Sequence, residues 1–361
     1  MNTQLLYQWT EQLASHFPSL NQWQVRQVAL FSYGVIQAES CQQEQVARQV
    51  SQTTQVESSA RRWRRFLHNR QWAVSAWSVE WTQWVVSGLQ TPQITLLVDE
   101  TKLSDRLGVM MVGIAWEGRC LPLAWRAYRL TAYPREGQVG MITRLLKQVQ
   151  AGLPASMAVL VLADRGIGCS PDLCKAVAAL GWHYLFRVTC QTKIVTEQGD
   201  YTIAQQVQPG ELWAASGQVF KQRGKLTGRA LARWSVGYDE PWALVTNAPE
   251  VTGAEYAQRM WQEASFRDLK SGGWQWGASR VRQPDHVERL LVVLVVAYVW
   301  VIALGSQRVA QHCAHPLHAT KAGGWRRHWS LFKDGLDYFV EYVHRYAVCL
   351  GLLFIPDTRL T

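Results

Sequence analysis

Tyr256-Ala-Gln-Arg259-Met-Trp-Gln-Glu263-Ala-Ser-Phe-Arg-Asp-Leu-Lys270 is the stretch whose reading governs the rest of the chain. Its spacing predicts an α-helix. At about 100° per residue, positions seven apart drift by only about 20°. Tyr256, Glu263 and Lys270 therefore share one stripe about 21 Å long, with Arg259 roughly 60° to its side. An acid flanked by Arg and Lys suits a site that acts on a polyanion, Glu263 ligating a metal while Arg259 and Lys270 hold phosphates. Alone, the same residues also describe a solvated helix face with ordinary charge pairs.

What lies upstream favours the first reading. Two apolar runs, Ile94-Thr-Leu-Leu-Val98 and Ala158-Val-Leu-Val-Leu-Ala163, each end in an aspartate, Asp99 and Asp164. An acid just past a buried strand is held rigidly yet opens to solvent, which suits a divalent metal ligand. Gly108–Trp116 and Arg119–Arg126 read as a hairpin around Glu117-Gly118. Helices are expected over 136–150 and, opened by Ser170-Pro171, over 171–180. Tyr184–Val188 reads as another strand. The order β-β-β-α-β-α-β, followed by a helix carrying the third acid, is that of the ribonuclease H-like α/β fold. There the first and fourth strands are neighbours, so Asp99 and Asp164 meet.

Around this core (91–189 and 242–305) three further regions are expected. Residues 1–90 read as a helical DNA-binding domain with helices near 20–39, 43–50, 57–68 and 72–87. The pair over 44–50 and 56–67 resembles a helix-turn-helix whose second helix carries Arg61, Arg62, Arg64 and Arg65 around Trp63. Such a helix contacts phosphates from two faces, though a plain basic surface helix fits as well. Residues 190–241 alternate and break at glycines, as strands of a small all-β insertion do. Lys221, Arg223, Lys225, Arg229 and Arg233 make that insertion basic. A long helix over 285–305 precedes a basic, helical C-terminal region, 306–361, for DNA contact or dimerisation.

Composition agrees. Apolar residues make up 48% of 361, ample for a core, and the formal charge is +10. Such a balance points to nucleic acid or an anionic membrane surface. No basic start followed by an apolar segment marks a signal peptide. The run Leu290–Leu304 falls short of the ~18–20 residues of a spanning helix and reads as a buried core helix. Seven scattered cysteines fit a reducing cytoplasm. Most of the 19 tryptophans are expected in the core.

Tyr-x2-Arg-x3-Glu-x6-Lys, with Asp99 and Asp164 upstream, resembles the signature of DDE transposases of bacterial insertion sequences, the insertion-sequence-four (IS-four) type in particular. Lys270-Ser-Gly-Gly, Gln283-Pro-Asp-His-Val-Glu-Arg289-Leu and Pro241-Trp242-Ala-Leu-Val-Thr-Asn-Ala-Pro249 are similar to that group's neighbouring segments. One departure is Asp164-Arg-Gly166-Ile-Gly-Cys169, which puts Cys169 where the group has an aromatic. The resemblance implies cut-and-paste transposition with a hairpin intermediate and strand transfer. It implies two Mg²⁺ ions (Mn²⁺ substituting) on Asp99, Asp164 and Glu263, and phosphate contacts by Tyr256, Arg259 and Lys270. It further implies a base stacked on Trp242, a homodimer on double-stranded DNA (terminal repeats and target), and a cytoplasmic protein without membrane contact. On residue chemistry alone Trp242 reads equally as the opening of a buried strand.

Arg280 and Arg282, between glycine and proline breaks, extend the DNA track or are simply solvated. Glu100 and Asp105 stand close enough to Asp99 to assist it. His312-Cys313-Ala-His315-Pro-Leu-His318 matches no closed zinc pattern, and no phosphate loop or dinucleotide fingerprint occurs. Rival readings are another nuclease of the same fold and a catalytically silent, transposase-derived repressor.

Overall fold

The computed structural model describes residues 1–51, 55–220, 224–311, 316–319 and 325–359. Its first helix, α1 (Thr3–His16), was not expected as a separate element. It is capped by Asn2, whose side chain accepts from the Leu5 amide, and it buries Leu5, Trp9 and Leu13 at a four-residue spacing. Then follow α2 (Gln22–Ala38), α3 (Gln43–Val50), α4 (Val56–Leu67) and α5 (Val74–Leu89), close to the expected positions. Asn21 and Gln24 form a reciprocal capping box at the start of α2.

Next come β1 (Gln93–Ser104), β2 (Leu107–Trp116), β3 (Arg119–Arg129), α6 (Gly137–Gly152), β4 (Ala158–Ala163), the single turn α7 (Arg165–Gly168), α8 (Pro171–Ala179) and β5 (His183–Arg187). This reproduces the expected order. Positive φ at Glu117 (46°) and Gly118 (86°) makes the β2–β3 connection the two-residue turn that matches strand twist. β1 outruns its apolar stretch. It continues to Ser104, so Asp99 lies inside a strand, paired with Met111 of β2, rather than just past its end. The apolar run marked only the part of β1 that is covered on both faces.

The second correction concerns 190–241. Its strands are β6 (Lys193–Thr196), β7 (Gly199–Thr202), β8 (Leu212–Val219) and β9 (Leu226–Arg233), followed by β10 (Trp242–Thr246). They do not make a small sheet of their own. β10 pairs with both β5 and β9, giving one ten-stranded sheet among the described residues, in the order β3-β2-β1-β4-β5-β10-β9-β8-β6-β7. Alternation within a strand says which side chains share a face, not which neighbour it pairs with. Of the basic residues expected there, Lys221 and Arg223 lie outside the described residues.

After the signature segment, α9 (Met260–Arg267) leads to α10 (Pro284–Ala310), longer than expected at 27 residues. By length and mean hydropathy (2.4) α10 matches a membrane span, yet 94% of its most apolar window is buried within the protein. α2, α4 and α11 (Leu331–Tyr338) pack around it. Trp9 stacks on Trp300 with ring centroids 3.9 Å apart, and Trp63, Trp72, Trp77, Trp81, Trp84, Trp274 and Trp276 are buried too, so tryptophan serves mainly as core. The C-terminal region is not wholly helical: β11 (Leu317–Ala319) and β12 (Trp325–Arg327) form a two-stranded sheet before α11. The large mixed sheet with helices fits a ribonuclease H-like core.

Candidate active site

β1 and β4 run parallel and adjacent, with Val98 opposite Ala163. Asp99 and Asp164, one residue further on each strand, are therefore neighbours at the same end of the sheet. Side chains alternate along β1. Leu97, Asp99 and Thr101 face one side, where Leu97 joins a small apolar cluster with Trp242, Leu244 and Tyr256. Leu96, Val98 and Glu100 face the main core. Glu100 is thereby turned away from Asp99 and takes the Tyr128 hydroxyl. Asp105 lies past the end of β1. Neither acid assists Asp99 here.

Asp164 terminates β4 and caps α7, its Oδ1 accepting from the Ile167 amide at 3.1 Å. At Gly166 a Cβ would lie in ordinary contact with Asp164 Oδ1, at 3.4 Å. A side chain at Gly168 would strike the Arg187 carbonyl at 2.5 Å, so the turn is pressed against β5. Cys169, where the resembled group has an aromatic, is half-buried and in no disulfide among the described residues.

The signature segment is not one α-helix. Ala254–Arg259 is a 3₁₀ turn, α9 follows, and Asp268–Gly272 widens into a π turn. At about 120° per residue a 3₁₀ turn aligns positions three apart, so Tyr256 and Arg259 lie above one another instead of about 60° apart. Tertiary anchors outweigh the helical period. Gln262 Nε2 donates to the Met111 carbonyl, and the Cys120 amide donates to Ser265 Oγ at 2.7 Å. Asp268 takes Arg119 Nε at 2.5 Å. The π turn lets Lys270 Nζ reach Thr101 Oγ1 at 2.6 Å, two residues along β1 from Asp99.

Arg259 is the centre of the site. Its Nη2 lies 2.9 Å from Asp99 Oδ2 and 3.5 Å from Asp164 Oδ2, and its Nη1 contacts Glu263 Oε1. One guanidinium thus touches all three acids of the sequence reading. Among the described residues no group of three or more His, Cys, Asp or Glu side chains is drawn in to metal-ligand spacing; Arg259 stands between them. The Asp99 carboxyl is pushed up to about 6, chiefly by burial, with Arg259 and the Glu100 amide pulling it down and Asp164 and Glu263 pushing it up. Burial works against the Arg259 charge, but Asp99, Glu263 and Asp164 outweigh it and raise its pKa. Burial lowers that of Lys270, with Asp99 opposing. Three carboxylates converging on one cation leave excess negative charge, and their hard oxygens are the donors that Mg²⁺ and Mn²⁺ take.

Two further expectations meet a different geometry. Tyr256 is only 5% exposed and its hydroxyl is pushed up to about 12, first by burial, so it does not present itself to a phosphate. Trp242 is 7% exposed, with Tyr238 and Tyr256 each meeting it edge-on, at 5.0 and 5.2 Å between centroids. It borders an open cleft of about 410 Å³ that Arg233 and Trp234 also line. Arg259, expected to face DNA, faces the acids. Arg61 pairs with Glu57, while Arg64 and Arg65 on α4, and Arg280 and Arg282 beyond the signature, are exposed. Of the histidine-cysteine segment, His312, Cys313 and His315 lie outside the described residues, and His318 packs on His328 with ring centroids 4.7 Å apart.

The residues that sequence reading missed are Arg119, Ser265, Asp268, Gln262 and Thr101, which hold α9 and Lys270 against the sheet. Asp268 and Ser265 lie inside the quoted signature, but nothing in their spacing names a partner some 150 residues away.

Residues 137–300 match the family model described as the transposase DDE domain. The matched span takes in Asp164, Tyr256, Arg259, Glu263 and Lys270, and begins after Asp99. No curated protein matches the chain. The match makes this part of the chain similar to the catalytic domain of DDE transposases.

Proposed function

We propose that this chain is a DNA transposase of the IS-four type, cutting an insertion sequence out and joining it to target DNA through a hairpin intermediate. The observation that carries this reading is the convergence of Asp99, Asp164 and Glu263 on one guanidinium, the two aspartates coming from the adjacent parallel strands β1 and β4. Asp99 is buried and rigid, and Asp164 is fixed by its cap. Glu263, with 46% of its side chain exposed, is the acid freest to adjust. These three residues would hold two divalent ions, which supply an activated nucleophile and a stabilised leaving oxygen.

The chain itself contributes position and charge. Arg259 neutralises the acids in this structure; once that charge is met by metal, its guanidinium is free for a phosphate, which it suits as a bidentate donor. Lys270, tethered to Thr101, offers a second cation beside Asp99. Tyr256 supports Arg259 and Trp242 from beneath. Arg61, Arg62, Arg64 and Arg65 anchor the N-terminal helices on the DNA backbone, and a homodimer brings two ends together on DNA in the cytoplasm.

Trp242 serves the hairpin as a stack for a displaced base. Unstacking a base costs a few kcal/mol, and an aromatic platform worth about 1–3 kcal/mol offsets much of that. Tyr238 must swing aside to open the ring. Trp242→Ala is expected to leave the first nick intact and lower hairpin yield by about tenfold or more, read on denaturing gels of an end substrate. Unchanged hairpins would remove this role.

The decisive experiment for the reading as a whole combines two observations. Short inverted repeats bounded by a direct duplication should flank the coding region. Purified protein should nick a duplex carrying those repeats with Mg²⁺ and not with EDTA. Binding without nicking under any divalent metal would replace the enzyme with a repressor.

A further inference from the structure

Gly277–Gln283 forms a ridge between two open clefts. The cleft on one side, about 600 Å³, runs between this ridge and α3–α4, and Arg48, Arg64, His68 and His286 stand on it. The cleft on the other side, about 750 Å³, is bounded by the β1–β2 turn and the end of β3, with Arg106 and Arg129. Ser279, Arg280, Val281 and Arg282 line both. Arg280 and Arg282 are exposed, and Val281 is packed inward against the core. Among the described residues Arg48, Arg64, Arg106, Arg280 and Arg282 form no ion pair. Glu44 and Asp105 are the acids on these walls.

The ridge is firmly built. Trp274 and Trp276 before it are fully buried. The Cys41 amide donates to the Trp274 carbonyl at 2.7 Å, and Gln42 Nε2 donates to Gln275 Oε1 at 2.8 Å, tying the start of α3 to its base. On the other side Arg129 Nη2 donates to Gln283 Oε1 at 2.7 Å. Arg289, 4% exposed, donates to the Leu67 carbonyl at the end of α4 and pairs with Asp285. Arg280 sits in the left-handed region, φ 58°, which a non-glycine residue holds only when its surroundings enforce it. Both walls are thus set before any ligand arrives, which cuts the ordering cost of binding.

Unpaired guanidiniums gathered around one ridge repel until a polyanion intervenes. A single strand offers one backbone. A duplex offers two, bordering a groove. We propose that the ridge enters a groove of duplex DNA, Arg280 and Arg282 lying within it, while the two clefts receive the two backbones at its edges. This rests on the transposase reading and adds where the duplex lies.

The test uses full-length Asp164→Asn protein in EDTA, titrated into a short fluorescent duplex and into the corresponding single strand over a salt series. Arg64→Ala and Arg106→Ala are each expected to lower the salt slope on duplex by about one, and on single strand not both should do so. Arg64→Lys and Arg106→Lys should restore the slopes, separating charge from misfolding. Arg280→Ala should weaken duplex binding about tenfold more than single-strand binding. If either wall variant leaves the duplex slope unchanged, or if duplex and single strand lose equally, the ridge-in-groove arrangement is overturned while the transposase reading stands. Were the starting protein to show no duplex affinity at all, both would fall.

Discussion

Asp164→Asn and Glu263→Gln are each expected to lower cleavage of an end duplex by at least about 10³-fold, with DNA affinity nearly unchanged. Removal of one electrostatic partner of a transition state already costs about 10²–10³ in rate. On the proposed reading the lost charge is also one of three that would hold the ions carrying the chemistry. Both replacements keep shape and exchange an anionic oxygen for a neutral amide. Asn keeps the cap that Asp164 makes with the Ile167 amide, and Glu263 is half exposed, so neither change threatens the fold. Supercoil nicking with Mg²⁺, beside a gel shift in EDTA, separates chemistry from binding. Cleavage that survives either replacement would refute the carboxylate assignment.

The second large effect concerns Arg259 and stability without metal. The Asp99 carboxyl lies at about 6 in the folded chain against an ordinary 3.8. Between those values the folded state holds a proton that the unfolded chain has released, so stability falls as pH rises through this window. The loss from this one group amounts to about 3 kcal/mol by neutral pH. In EDTA the melting temperature should therefore drop between pH 4 and 7, net of other groups, and Mg²⁺ should recover it at pH 7. Arg259→Gln removes the single cation touching all three acids. Breaking a largely buried pair from one side costs about 3–5 kcal/mol, so the variant in EDTA should melt earlier at pH 7 and regain more than the parent on adding Mg²⁺. A variant that melts like the parent, with no larger response to metal, would mean that the acids do not share a charge deficit.

Much of this was legible before any coordinates. Apolar runs of five and six residues closing on acids marked β1 and β4 and named Asp99 and Asp164, because a strand covered on both faces is largely apolar. Glu117-Gly118 announced its hairpin through turn chemistry, and Ser170-Pro171 announced α8 through capping. The strand character of 190–241 was recognisable, though not the bounds of each strand. Their union with the core sheet was not, because the backbone bonds that pair β10 with β5 leave no mark on side-chain order. The signature segment was the reverse case. Its spacing matched a regular helix, and residues outside it bent the segment into three kinds of turn.

The chain alone determined the local order of elements and the choice of the three acids as candidates, since hydrophobic periodicity, caps and carboxylates closing apolar runs act within a few residues. Only tertiary structure decided that Arg259 faces those acids, that Tyr256 and Trp242 are covered, and that Arg64 and Arg106 flank one ridge. Those outcomes depend on residues far apart in sequence meeting at ångström range, where burial and Coulomb forces choose a side chain's partner.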